Sequence, residues 1–243
     1  MIFNLTQPVL DSAPKFTYTG TYEYIDDGEG NWRIKFLTSG VFTPLKDMTI
    51  DAFLVGGGAG GMNNASSGGG GGYTNTVKNI ELPANANFNI VIGAGGDPSG
   101  NGGETSVFEL TAAGGNGKDG GSGGGAFGSP AGAGGSDGSD GGSGTFLVAS
   151  IKGGTGQGTT TREFGEATGE LYSGGGGGAT AKDGVYSDGG LGGGGRGTAG
   201  ARNGENGQEN TGGGGGGTYS KRQNGGYGGS GIVVIRKHKE AAA

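Results

Sequence analysis

The chain has 243 residues, of which 69 are glycine, 6 are proline and none is cysteine, and its formal net charge is −6. Collagen is excluded because the glycines do not recur at every third position and proline is scarce. The lack of cysteine excludes disulfides and thiolate metal sites, and a single histidine, His238, leaves little room for metal centres or catalytic triads.

Charge and hydropathy patterns also limit the expected partners. No basic stripe runs through the sequence, so we expect no nucleic-acid partner. No apolar run approaches the roughly 18 residues of a membrane span. Residues 1–11 lack the basic residues that open a secretory signal. We therefore expect neither a membrane-spanning segment nor classical secretion.

Apolar and β-branched residues predict strands and essentially no α-helix. Residues 1–15 contain two prolines and no periodicity, and we expect them to form an attachment arm or a terminal tail. Trp32, Ile34 and Phe36 alternate with polar residues, as in a half-buried strand. The continuous apolar run 232–235 is typical of a strand buried on both faces. In chain order, the predicted strands span 18–25, 32–36, 41–43, 49–55, 73–82, 87–92, 105–110, 145–151 and 232–235.

The glycine runs 68–72, 174–178, 192–195 and 212–217 have two interpretations. They could be flexible linkers or packed polyglycine II helices, which have three residues per turn. Because the runs return between strand-like segments, the ordered form is favoured. Ordering all 69 glycines would cost on the order of 70–140 kcal/mol, so only a dense lattice of hydrogen bonds could offset it.

The predicted fold is therefore all-β: an antiparallel β-sandwich, residues 16–237, with an inserted glycine-rich region of packed polyglycine II helices. The insertion follows from the run 232–235, because a buried strand after so much glycine must return to the sheet beside 49–55. We expect the glycine-rich parts at about 56–72 and 112–231. Residues 238–243 are predicted to be a C-terminal tail.

Motifs for chemistry are weak. Gly56, Gly58 and Gly61 match the dinucleotide-binding pattern after a strand, but the glycine-rich residues that follow cannot form the helix that the pattern requires. Asp137 and Asp140 resemble calcium β-roll repeats in composition, yet the nonapeptide does not repeat. The other acids are scattered. We expect no catalytic, cofactor-binding or metal-binding residues and no enzyme activity.

Two side-chain-rich stretches inside the glycine region are candidates for binding. The stretch 159–172 is either a rim that packs against the glycine helices or a contact surface for a partner or glycan. The stretch 218–224, with Tyr227, is a second polar and aromatic patch. Such side chains on rigid loops suit recognition of a surface. The receptor-binding candidates are Arg162, Glu163, Phe164, Tyr172, Tyr219, Arg222 and Tyr227.

An ordered set of short pieces resembles glycine-rich phage tail proteins, over most of the chain. The pieces are the strand ends and glycine runs at 36–43, 52–61, 91–96, 161–176 and 228–236. The chain is similar to the glycine-rich adhesins of phage long tail fibres, although its β part is larger and its glycines are less regular. It also resembles the extracellular ligand-binding region of anaplastic-lymphoma-kinase-type receptors, but it has no cysteine, membrane span or kinase.

The resemblance implies a virion protein at the tail tip or on a fibre, which binds a host surface glycan or protein. It implies assembly in the host cytoplasm, attachment to other virion proteins through the N-terminal arm, and a homo-oligomer such as a trimer. Two alternatives remain open: a purely structural virion protein, such as a head fibre or decoration subunit, and a bacterial cell-surface protein.

Overall fold

The computed structural model describes residues 13–63, 67–127, 131–135, 138–144, 161–180, 185–199, 202–219 and 222–238. These residues form β-strands and one short 3-10 turn, Glu163–Gly165, with no α-helix among them. The strands are β1 (Phe16–Tyr18), β2 (Tyr22–Gly28), β3 (Asn31–Phe36), β4 (Gly40–Pro44), β5 (Met48–Val55), β6 (Thr74–Leu82), β7 (Phe88–Ile90), β8 (Thr105–Val107), β9 (Leu110–Ala112), β10 (Ala126–Phe127), β11 (Ser143–Gly144) and β12 (Ile232–Lys237). The predicted all-β fold is confirmed.

Two antiparallel sheets pack face to face as a sandwich. The larger sheet has five strands in the order β2-β3-β12-β5-β6, and the smaller has three in the order β1-β4-β7. The inward side chains come from alternate positions: Trp32, Ile34 and Phe36 of β3 are buried while their neighbours are partly exposed. Phe36 meets Phe42 of the smaller sheet edge to face, with ring centroids 5.3 Å apart. Hydrophobic burial between the sheets holds the sandwich together.

Strand β12 is the centre of the larger sheet, as the sequence predicts. It pairs antiparallel with β3 on one side and with β5 on the other, so the chain returns to the sheet after the glycine region. Val233 and Ile235 face the sandwich core, whereas Ile232 and Val234 belong to a second hydrophobic cluster on the opposite face. A strand buried on both faces explains the unbroken apolar run.

Several predicted strands differ from the structure. The predicted strand 18–25 is two strands, β1 and β2, which belong to different sheets. The predicted strand 105–110 is a hairpin, because Phe108 and Glu109 both adopt positive φ angles of 52° and 61° and turn the chain back. A short parallel pair, β10 with β11, lies within the glycine region. The predicted strand 145–151 lies outside the described residues.

The glycine-rich segments form a packed lattice of extended chains. We call it the glycine lattice. Its chains are residues 56–61, 68–73, 93–103, 113–125, 173–178, 189–197, 204–208, 212–218 and 224–230. The residues 93–103, which follow β7, contribute to it in addition to the regions expected from the sequence. The four runs 56–61, 68–72, 174–178 and 212–217 are buried throughout.

Hydrogen bonding in the lattice has a period of three, the period of polyglycine II. Along the segment 56–61, successive N–H groups donate to three different neighbours, and every third residue returns to the same one. Gly56 and Ala59 donate to 70–73, Gly57 and Gly60 to 100–103, and Gly58 and Gly61 to 226–229. The carbonyl oxygens of 57–62 accept hydrogen bonds from the amides of 96–99, of Gly115 and of 215–218. The segment is thus bonded to five other lattice chains, one of which, 93–103, contributes both donors and acceptors. These bonds offset the entropy of ordering glycine.

The lattice has two distinct ends. Gly56 directly follows β5, and the chain 224–230 leads into β12, so these residues mark the end that joins the sandwich. Gly72 donates to Gly212 at this same end. Residues 62–63, 198–199 and 218–219, which follow three of the lattice chains, lie at the opposite end. No helix that could cross a membrane occurs in the described part of the chain.

Candidate functional site

The segment 161–172 covers the outer face of the larger sheet. Phe164 and Tyr172, which are 4% and 1% exposed, pack with Phe53 of β5 and with the outward side chains of β12. Phe164 has a φ angle of 55°, which is unusual for a residue with a side chain. The strain is offset by burial of the ring and by the Arg236 guanidinium, which lies 4.1 Å from the ring centroid. These two side chains therefore fit the interpretation of the stretch as a packing element. The surface that they pack against is the larger sheet.

Ion pairs attach the same segment to the sheet. Glu163 is buried and accepts a hydrogen bond from Arg33 Nη1 at 2.9 Å. Glu170 accepts from Lys35 Nζ at 2.6 Å. Arg162, which is partly exposed, donates to the carbonyl oxygen of Gly169 within the segment. Three of the receptor-binding candidates, Glu163, Phe164 and Tyr172, therefore hold the segment in place. Receptor contact through them stays untested.

A buried carboxylate anchors the end of β12. Asp51 Oδ2 accepts a hydrogen bond from Arg236 Nε at 3.0 Å, and Asp51 Oδ1 accepts one from the backbone amide of Asn79 at 3.1 Å. His238 Nδ1 lies 2.5 Å from the same Oδ1. Burial alone would raise the pKa of Asp51, but the bonds from His238, Asn79 and Arg236 outweigh burial and lower it. Arg236 also donates to Glu166 at 2.5 Å, so one guanidinium links the sheet to the covering segment.

Burial and neighbouring charges shift the pKa of two further groups. Burial, followed by the carboxylates of Glu163 and Glu170, raises the pKa of the Tyr172 hydroxyl well above its ordinary value. Hydrogen bonding to Asp27 and then to Glu163 raises the pKa of Arg33, against the effect of burial. The phenol therefore stays neutral and the guanidinium stays charged at physiological pH, so these contacts persist across it.

The loops at the far end of the glycine lattice meet one another, and we call this end the distal tip. Its described residues are 62–63, 97–100, 126–127, 179–180, 185–186, 198–199, 202–203, 218–219 and 222–224. The amide of Asn63 donates to Ser99 Oγ at 3.1 Å, and Thr218 Oγ1 donates to the carbonyl oxygen of Arg202 at 3.2 Å. These bonds tie separate loops into one surface.

Two of the remaining candidates lie at the distal tip and one lies beside it. Tyr219 is 43% exposed and its ring meets Phe127 edge to face at 5.5 Å. Arg222 is exposed on the loop that links two chains of the lattice. Tyr227, 52% exposed, lies on the side of the lattice, where its amide donates to Asn206 Oδ1. The structure thus separates these three residues from the four on the sheet.

Asparagine side chains at the tip were not predicted from the sequence. Asn63 Oδ1 accepts from the Gly225 amide at 2.7 Å, and Asn203 Oδ1 accepts from the Asn224 amide at 3.0 Å. Each asparagine Oδ1 thus serves as the acceptor that a backbone carbonyl oxygen supplies elsewhere in the lattice. Asn before Gly, as at 203–204, is the signal that could have found Asn203, whereas Asn63 is followed by Asn64 and carries no such signal. Among the described residues, no group of three or more acidic or histidine side chains could hold a metal ion.

Fold and surface together define a class of protein: a β-sandwich joined to a polyglycine II lattice with polar and aromatic loops at the lattice tip. The model of a family described as a glycine-rich domain matches residues 37–238, and the chain belongs to this glycine-rich domain family. A comparison with curated proteins found no match.

Proposed function

We propose that this protein is a virion tail protein of a tailed phage, placed at the tail tip or on a fibre, and that it binds a host surface receptor through the distal tip. The observation that carries the proposal is the tip itself, where Tyr219 and Arg222 are exposed on loops that the glycine lattice holds together. Glycine chains offer a partner only backbone groups. Chemical recognition therefore falls to the side chains of these loops.

The physical properties of the tip support a binding role. Tyrosine and arginine are enriched among the residues that dominate interface energies. The loops are bonded to one another and to buried glycine chains, so little conformational entropy is lost when a partner binds. Residues of this kind on a fixed scaffold suit a glycan or a protein surface.

The two ends of the molecule differ, which supports attachment to other virion proteins at one end and contact with the receptor at the other. Phe16 pairs with Pro44, and Leu45 donates to Lys15, so the N-terminal side of β1 lies at the end of the sandwich away from the lattice. Residue 238 lies at that end as well, beside Thr49. The lattice, six residues long in its central segment, extends roughly 19 Å at about 3.1 Å per residue. An N-terminal arm on other virion proteins would point the tip outward, and a homotrimer would present three tips.

Adsorption of phage particles that carry tip variants tests the proposal. We expect Tyr219→Ala with Arg222→Ala to weaken adsorption to host cells, by about 2 kcal/mol or more for an anchoring side chain. Tyr24→Ala is the matched control, because Tyr24 is similarly exposed (41%) but lies on β2 of the sandwich. All variants should melt as the wild type does.

Unchanged adsorption of the tip variant would contradict the proposal and favour a purely structural virion protein. Labelled protein found on bacterial cells but not on particles would favour a cell-surface protein instead.

A further inference from the structure

A polar pocket of about 280 Å³ lies between the covering segment 161–170 and the larger sheet. It is at the sandwich end of the molecule and is therefore separate from the distal tip, which carries the proposed receptor contact. Its charged lining consists of Asp27, Arg33, Glu163, Glu166, Glu170 and Arg236.

Negative charge is in excess among the side chains that line this pocket. Four carboxylates and two guanidinium groups line it. Outside the lining, Lys35 pairs with Glu170, and Asp51 pairs with Arg236 and contacts His238. Even with His238 protonated, the paired network holds more carboxylates than cations. A bound cation would complement it.

One carboxylate oxygen in the pocket wall lacks a donor. Glu163 is 2% exposed, and its Oε1 accepts from Arg33 Nη1 at 2.9 Å. Its Oε2 is buried and has no hydrogen-bond partner among the described residues. Buried polar atoms without a partner are rare because they lose hydration without compensation. This oxygen therefore lacks a hydrogen-bond donor that the described residues could supply.

We propose that the pocket binds a primary ammonium group carried on a small hydroxylated ring, as on an amino sugar. An ammonium group brings a positive charge and three donors, which suit Glu163 and Glu166. Arg33 and Arg236 add donors to the same wall, and hydroxyl groups can pair with donors and acceptors together. These guanidinium groups also disfavour a metal ion, because they cannot ligate one.

The size and shape of the pocket agree with a single ring. Its volume of about 280 Å³ lies just below the range of about 300–1,000 Å³ for drug-sized ligands. Arg236 already covers the face of Phe164, at 4.1 Å from the ring centroid. Recognition would therefore depend on charge and hydrogen bonds, without stacking on that ring.

Calorimetry with free monosaccharides and the purified full-length protein tests the proposal. We expect glucosamine to bind, whereas glucose and N-acetylglucosamine, which lack the ammonium group, should bind at least about tenfold more weakly. Glu163→Gln keeps the size of the side chain and an acceptor for Arg33, and it should reduce glucosamine affinity by a similar factor. Glu166→Gln, whose side chain is 46% exposed, is the second variant should Glu163→Gln not fold.

Glu205→Gln is the matched control, because it removes a carboxylate from the exposed side of the lattice. The proposal is overturned if glucosamine does not bind, if N-acetylglucosamine binds equally well, or if both pocket variants leave the affinity unchanged. Binding of lysine amide without binding of glucosamine would overturn the assignment to a ring. None of these results depends on adsorption through the distal tip, so the two proposals fail separately.

Discussion

The Cα atom of Gly214 faces the carbonyl group of Gly69 in a neighbouring chain of the lattice. A Cβ atom built on Gly214 would lie 2.6 Å from that carbonyl carbon and 3.0 Å from the amide nitrogen of Gly176. Both contacts are shorter than side-chain carbons normally make with backbone, so any side chain there would have to push lattice chains apart.

We therefore expect Gly214→Val to lower the free energy of unfolding by about 1–3 kcal/mol or more, the scale of an overpacked core. Urea denaturation of the purified variant measures it. Glu205→Val is the control, since it places valine in a lattice chain at an exposed position that already carries a side chain. Equal stability of the Gly214 variant and the wild type would mean that the run 212–217 is not enclosed.

Amide hydrogens in the buried glycine runs should exchange slowly with solvent. The amides of Gly214, Gly215 and Gly217 all donate to carbonyl groups of other lattice chains, and such exchange requires local opening. Hydrogen exchange followed by NMR measures this directly. Gly30, in the partly exposed turn between β2 and β3, serves as the internal comparison. Uniformly fast exchange through 174–178 and 212–217 would restore the linker interpretation.

Phe164→Ala should destabilise the protein by about 3–5 kcal/mol, as expected for loss of a buried phenylalanine. Its ring contacts Phe53 at 6.1 Å between centroids and lies under Arg236. Thermal melting compares this variant with Tyr219→Ala, which changes a residue that is 43% exposed and should melt near the wild type. A Phe164 variant that melts normally would mean that the segment 161–172 contributes little to the fold.

Removing β12 should abolish cooperative folding. A truncation at residue 230 deletes the middle strand of the larger sheet and leaves β3 and β5 without a partner between them. Circular dichroism during heating tests for a cooperative transition. Truncation at residue 238 keeps the whole of β12 and is the control. A soluble, cooperatively melting product of the longer deletion would refute the central position of this strand.

Acid should weaken the attachment of β12 through Asp51. Because the folded pKa of Asp51 is lowered, its stabilisation is fully present above the unfolded pKa of about 3.9 and is lost as pH falls through the folded value. Urea denaturation at pH 7, 5, 4 and 3 should show this loss below about pH 4. Asp51→Asn should be less stable at pH 7 and should decline less steeply with acid. If the free energy of unfolding falls with pH equally in the wild type and in Asp51→Asn, the acid sensitivity comes from other groups.

The sequence predicts the strands well where side-chain periodicity is strong. The alternation at Trp32, Ile34 and Phe36 and the apolar run 232–235 identify β3 and β12 correctly. The sequence predicts the strands less well where backbone conformation decides where a strand ends. The positive φ angles at Phe108 and Glu109, which form the hairpin turn, cannot be recognised from these residue types. Phe164 and Tyr172 illustrate the same difficulty for the site. From the sequence, an aromatic residue beside charged residues can be assigned to the surface or to the core, and only the sheet that buries it decides between the two.

The amino-acid sequence alone determined that this chain is an all-β protein with an insertion rich in glycine, because glycine and β-branched residues disfavour helices and the last apolar run needs a sheet to bury it. Only the tertiary structure decided which glycine segments are neighbours and which loops share the distal tip. Glycine carries no side chain to specify its partner, so the pairing of Gly214 with Gly174, or of Gly58 with Gly229, depends on where the surrounding strands place each chain. The position of Glu163 beside Arg33, 130 residues apart, was decided in the same way.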